Sequence, residues 1–189
     1  MKLLLKIVVT AVIVMLAAVS ISAQSDPFGA TDTLFAATDK IDDHNWMVTI
    51  SLFNDEKIVA LSIPLRVSAG EGGQVVVDSV VYTGGRAEHF TLKVFRADTS
   101  SQSVTMGLIA NMGPTDNTLH AGNGRVATVF VSSLDGNEIQ QLDVDTTTTP
   151  PSNSLMAIAD RVQGGDNADT IPSFGNAREI RPVFVVRQR

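Results

Sequence analysis

The stretch Trp46–Val67, WMVTISLFNDEKIVALSIPLRV, constrains the fold more than any other part of the chain. Two alternating runs flank a polar break, Asn54-Asp55-Glu56-Lys57. In the first run Trp46, Val48, Ile50 and Leu52 share one parity, against Met47, Thr49, Ser51 and Phe53. In the second, Val59, Leu61, Ile63, Leu65 and Val67 oppose Ala60, Ser62, Pro64 and Arg66. Successive side chains of a strand point to opposite faces, so each run can bury one face and turn the other outward. The turn formers and the length of the break predict a β-hairpin with a loop of about 4–5 residues, one face of it in a core.

The rest of the chain repeats this pattern in short segments. Thr33–Ala37, the β-branched run Gln74–Tyr82, Phe90–Arg96, Ser103–Met112, Arg125–Val131, Glu138–Val144, Leu155–Ala159 and Ile180–Val186 all read as strands, separated by glycine-rich or polar turns. Turn signals recur every 8–12 residues or so, which predicts an all-β fold: an antiparallel two-sheet β-sandwich of about nine strands. Pro64 and Pro182 lie inside strand-like runs, which assigns them to edges or bulges because proline has no N–H to give a ladder. The segment Gly113–Gly124, GPTDNTLHAGNG, is a long loop, read as a solvent-facing crossover between the sheets, with a functional loop as the alternative.

The N-terminus follows different rules. Lys2 and Lys6 precede an apolar run from Ile7 to Val19, and Ser20-Ile21-Ser22-Ala23 supplies small residues for a cut. This is the plan of a secretory signal peptide over residues 1–23, with a retained membrane anchor as the alternative. The run is shorter than the ~20 apolar residues a spanning helix needs, so no transmembrane segment is expected after cleavage. Residues 24–32 read as a flexible leader and 33–189 as one domain. Cleavage after Ala23 leaves 166 residues, with 12 basic against 20 acidic and a net charge near −8. That balance argues against nucleic acid, which favours a basic surface. The chain has no cysteine, so an exported product must hold together by its core alone. The expected location is secreted, extracellular or periplasmic.

Reactive chemistry is sparse. His44, His89 and His120 fall in separate loops without metal-ligand spacing, and Glu88-His89 has no nucleophile motif beside it. No catalytic residue or bound cofactor is expected. Calcium is the one metal weighed, with oxygen ligands offered by Asp143 and Asp145 or by Asp166-Asn167-Ala168-Asp169, though neither matches an EF-hand loop. Trp46 and Tyr82 are the only large amphipathic aromatics, and the parity of Trp46 turns it inward, which leaves little for a sugar-stacking platform.

The order of segments resembles a bacterial cohesin domain, the β-sandwich receptor module of cellulosome scaffolds. Val48–Phe53 followed by Ile58–Val67 is similar to the early cohesin strand pair, Val75–Tyr82 to the segment after it, and Val104–Ala110 to the middle strand. Gly122-Asn123-Gly124-Arg125-Val126-Ala127-Thr128-Val129-Phe130 resembles the family most, with its glycine turn, aliphatic residue, alanine and alternating strand. The resemblance implies a jelly-roll plan and a non-enzymatic binding module. Its partner would be a protein, a dockerin-like module seated on a sheet face, or alternatively a polysaccharide. A structural cell-surface role is the third reading. For a sheet-face site, the outward parity offers Ser62 and Arg66 on one strand and Ser103 and Thr105 on another. Far-ultraviolet circular dichroism of the chain without residues 1–23 should show a strand-dominated spectrum; a helix-dominated one would refute the sandwich.

Overall fold

Val48, Ile50 and Leu52 are wholly buried, as are Ile63 and Leu65, but the two sets meet from opposite sheets. The computed structural model describes residues 29–110, 117–148, 154–159 and 178–188. The described residues form eleven strands: β1 (Thr33–Lys40), β2 (Asn45–Asn54), β3 (Ile58–Ala69), β4 (Val75–Val81), β5 (Leu92–Asp98) and β6 (Ser103–Ile109), then β7 (Gly122–Ser133), β8 (Leu142–Thr146), β9 (Met156–Ala159), β10 (Arg178–Ile180) and β11 (Val183–Gln188). Sheet A has the order β11-β1-β2-β7-β4. Sheet B runs β10-β9-β3-β6-β5, with β8 also paired to β3. The result is an all-β, two-sheet sandwich, as the periodicity and the family resemblance predict. The signal-peptide segment, residues 1–23, lies outside the described residues, as does the Asp166–Asp169 run.

The expected hairpin between Trp46 and Val67 is not formed. β2 pairs with β1 and β7, whereas β3 pairs with β6, β8 and β9, so Asp55–Lys57 is an arch from one sheet to the other. A hairpin and an arch demand the same alternation, because in both each strand buries one face. What differs is the source of the hydrogen-bond partners, and these come from strands far away in sequence. The parity itself is as expected: Leu61, Ile63, Leu65 and Val67 face Val48, Ile50 and Leu52, and Trp46 packs half-buried at the margin of the core. Full burial of one such aliphatic side chain contributes about 1.5–3 kcal/mol.

Both prolines depart from the edge-or-bulge reading. Pro64 is buried in the interior strand β3, opposite Thr105 of β6. On its other side β9 ends its pairing at Ser62 and β8 begins at Leu65, so the missing N–H falls where one neighbour hands over to the next. Pro182 is in no strand; with Arg181 it forms the link that carries the chain from β10 in sheet B to β11 in sheet A. That break divides the expected Ile180–Val186 strand in two and raises the strand count. It also delivers β11 parallel to β1, whereas the other strand pairs among the described residues are antiparallel, as expected.

β7 carries a bulge that the alternation did not reveal. Its register against β2 shifts between Ile50 and Ser51, so Val126 is an extra residue. The extra residue lets Val126 and Ala127 both be buried, and Thr128 and Val129 after them are buried as well. Of the expected Gly113–Gly124 loop, residues 117–124 are described, and Gly122, Asn123 and Gly124 belong to β7, so the loop ends at Ala121. It is less solvent-facing than expected, since Thr118 and Leu119 are buried and Leu119 exchanges two backbone hydrogen bonds of 2.9 Å with Ile58.

Ile63→Ala should destabilise the fold by about 2–5 kcal/mol, the range for removing a large aliphatic group from a packed core. A urea melt followed by the fluorescence of the single tryptophan, Trp46, measures it; a change below about 1 kcal/mol would place Ile63 outside the shared core.

Candidate functional site

The outer face of sheet B can be read row by row from its register. One row is Ile158–Ala60–Ile109–Leu92, apolar throughout. The next is Met156–Ser62–Gly107–Val94, where glycine and serine leave the middle low. Then come Pro64–Thr105–Arg96 and Asp145–Arg66–Ser103–Asp98. The face is thus divided, apolar at one end and charged at the other. Its apolar half contains a depression of about 220 Å³ lined by the first two rows with Leu61 and Leu108. Val94 is 49 % exposed on the rim.

All four residues expected at a sheet-face site lie in this register. Ser62 borders the depression, Thr105 and Arg66 lie in the charged half, and Arg66 is exposed. Ser103 is only 8 % exposed, and its hydroxyl is 2.8 Å from that of Ser101. The sequence did not single out Val94, Gly107, Met156, Ile158 or Arg96. β5 and β9 read as ordinary alternating strands, and only their pairing onto β6 and β3 places these residues together.

Charged groups at the charged end are tied mainly to their own turns. Asp98 accepts hydrogen bonds from the Ser100 hydroxyl and from the Ser100 and Ser101 amides, which hold its carboxyl below the usual range. Asp143 accepts one from Gln141 (2.6 Å) and Asp145 one from the Thr146 amide (2.7 Å). Asp143 lies opposite Ser68 on β3, the pair beside Asp145 and Arg66.

A second group of acids gathers at the β2–β3 arch. Asp32, Asp55 and Glu56 bring carboxylate oxygens within 4.8 Å of one another, although Asp32 is more than twenty residues away in sequence. Asp55 is held below the usual range, first by its hydrogen bond with Glu56 and further by the Ala30 amide at 2.6 Å. Arg86 lies against the same arch. Its guanidinium donates to the carbonyls of Leu52 (2.8 Å), Gly122 (3.1 Å) and His120 (2.5 Å), and its charge opposes that of Asp32. Burial lowers the Arg86 pKa, but an arginine stays charged in a protein. Asn54, wholly buried, donates from its amide to the carbonyls of Glu56 (2.6 Å) and His120 (3.1 Å). Arg86 and Asn54 therefore stitch the arch to the start of β7.

The histidines are dispersed. The His44 ring meets the Asn137 carbonyl at 3.2 Å and the His89 ring the Thr118 carbonyl at 3.2 Å. Glu88 is used to accept the Gly84 amide at 2.8 Å. Trp46 donates its indole N–H to the Ile139 carbonyl at 3.1 Å, and the Tyr82 hydroxyl donates to the Val94 carbonyl at 3.2 Å. Both rings are partly buried and pack against the core. Among the described residues, no helix is long and apolar enough to cross a membrane.

No protein-family model matches the chain, and no curated protein sequence does. Solved structures do match. The seventh ScaB type I cohesin from Pseudobacteroides cellulosolvens superposes with a TM-score of 0.51 at 11% identity, covering 83% of this chain and 92% of that one. A chain of the Coh-OlpC–Doc435 complex, a type I cohesin–dockerin complex from Clostridium thermocellum, gives 0.50 at 6% identity, covering 87% and 99%. The fold is therefore cohesin-like, a two-sheet β-sandwich with jelly-roll connectivity.

Two outcomes test this geometry. Arg86→Met should cost at least about 2 kcal/mol in a urea melt, because three carbonyls lose a charged donor in a partly buried site. Burial pushes the hydroxyl of Tyr82, the single tyrosine, up to about 12. Its absorbance titration should accordingly have a midpoint near 12 in the folded protein and near 10 in urea. The folded state holds this proton more tightly, so the contribution to stability is complete below about pH 10 and is lost as pH rises towards 12. A folded midpoint at 10 would show the ring to be solvated.

Proposed function

We propose that this protein is an exported, non-enzymatic binding module that docks a protein partner, a dockerin-like helical module, on the outer face of sheet B. The observation that carries this reading is the divided face itself: an apolar depression beside exposed arginine, laid across β9, β3, β6 and β5 on a cohesin-like fold. Protein interfaces combine such a desolvated apolar centre with a polar rim. A similar structure, the type I Coh-OlpC chain, was solved in complex with a dockerin. Export rests on the N-terminal sequence pattern alone. The dispersed histidines and turn-bound carboxylates favour binding over catalysis, and the acidic composition favours a partner other than nucleic acid.

The test is direct binding of the purified domain to a panel of recombinant dockerin modules by calorimetry, with sedimentation on insoluble polysaccharides beside it. A saturable protein complex burying about 1,200–2,000 Å² is expected. Arg66→Ala and Thr105→Ala should each weaken it about 3- to 30-fold. Retention on polysaccharide with no protein complex would replace this reading with a carbohydrate-binding one. Retention on neither would leave a structural surface protein. Turnover of a glycoside substrate would refute the non-enzymatic assignment.

A further inference from the structure

We infer that the depression over Gly107 is an anchor pocket for one aliphatic side chain of a partner α-helix, and that the next turn of that helix carries a carboxylate for Arg96. The inference rests on the docking reading above and specifies the chemistry of its partner.

The backbone of sheet B decides the shape of the occupant. β3 is paired to β6 on one side and to β8 and β9 on the other, while β6 is paired to β3 and β5. The floor of the depression thus has no ladder groups to offer an extended peptide, which binds by adding a strand to an open edge. A helix satisfies its own backbone and needs only side-chain contacts, so it suits the β3–β6 floor, which is paired on both sides.

The pocket exists because position 107 lacks a side chain. A Cβ built there would lie 3.3 Å from Val94 Cγ2 and project into the space between Val94 and Met156. Ser62, on the other side of Gly107, adds one short side chain. Water in an apolar hollow finds few hydrogen-bond partners, and its displacement by an apolar group is favourable. An apolar cavity of about 150 Å³ holds a benzene ring; the ~220 Å³ here admits a leucine, isoleucine or methionine side chain.

Arg96 supplies the second contact. It is exposed and stands two residues from Val94 on the same face, about 6.8 Å along the strand. Positions i and i+4 of a helix are about 6 Å apart along its axis, so a helix lying along β5 and β6 can set one residue in the pocket and the other at Arg96. The guanidinium is in no ion pair among the described residues. The nearest acid on its own strand, Asp98, is engaged by Ser100 and Ser101. A carboxylate on the partner can take both prongs of the arginine fork. Arginine is among the residue types enriched at interface hot spots.

The test uses 15N-labelled protein and helical peptides with leucine at i and glutamate at i+4, compared with versions carrying alanine for leucine or lysine for glutamate. The Leu/Glu peptide should shift the amides around Ser62, Val94 and Gly107. Alanine should weaken binding about tenfold, and lysine at least fivefold. Arg96→Glu should reverse the preference between glutamate and lysine. Gly107→Ala should abolish the advantage of leucine, with Trp46 fluorescence reporting that the variant is folded; Arg96→Glu, at an exposed position, serves if it is not. Shifts on this face that ignore leucine and charge would overturn the anchor while leaving the docking reading intact. Shifts confined to sheet A or to loops, or none at millimolar peptide, would also overturn the anchor; the dockerin panel then judges the docking reading separately.

Discussion

The fold depends on face-to-face burial of two aliphatic sheet faces, without a single covalent cross-link. Val48, Ile50 and Leu52 from sheet A meet Ile63, Leu65, Met106 and Leu108 from sheet B, all wholly buried. Each strand supplies one apolar face, and neither sheet can bury its own. Hydrogen bonds within a sheet set register, but they do not hold the sheets to each other. Dispersion and the removal of apolar surface from water do that, which is why alternation persists through so many short segments.

Such a sandwich must solve the crossings between sheets, where the chain leaves one ladder before joining the next. The β2–β3 arch is the best secured. Arg86 and Asn54 occupy backbone carbonyls at its base, and Asp55 accepts the amide of Ala30. Carboxylates crowded as closely as Asp32, Asp55 and Glu56 repel one another when charged, and the nearby Arg86 charge offsets part of that. The β10–β11 crossing is shorter, since Arg181-Pro182 suffices, and it sets β11 parallel to β1. Pro64 marks another economy of construction: the residue without an N–H occupies the seam between β8 and β9.

The outer face of sheet B owes its character to the same pairing. β3 and β6 are interior strands, so their outward residues form a continuous floor rather than an edge. β5, exposed along much of its length, brings Val94 and Arg96 to one side of that floor. β9, only four residues long, brings Met156 and Ile158 to the other. An apolar hollow beside arginine follows from these four neighbours meeting, and no single strand announces it.

Alternation within the sequence determined the strand class, nearly every strand position and the inward parity of the core, because a period of two is a local property. It also placed Ser62, Arg66, Ser103 and Thr105 on the outward side of β3 and β6, and the run of segments was enough to suggest the cohesin-like plan. The sequence could not distinguish hairpin from arch at Asn54–Lys57, since both bury the same residues; only the partners of β2 and β3 decide. The bulge at Val126 and the parallel β11 were likewise settled by tertiary contacts. The same holds for the pocket. Gly107 reads in the chain as an unremarkable small residue in a strand, and it becomes a hollow only when Val94, Ser62 and Met156 are arranged around it by the neighbouring strands β5, β3 and β9. Local periodicity is carried by neighbouring residues, whereas registry between distant strands is set by which set of buried faces packs best as a whole.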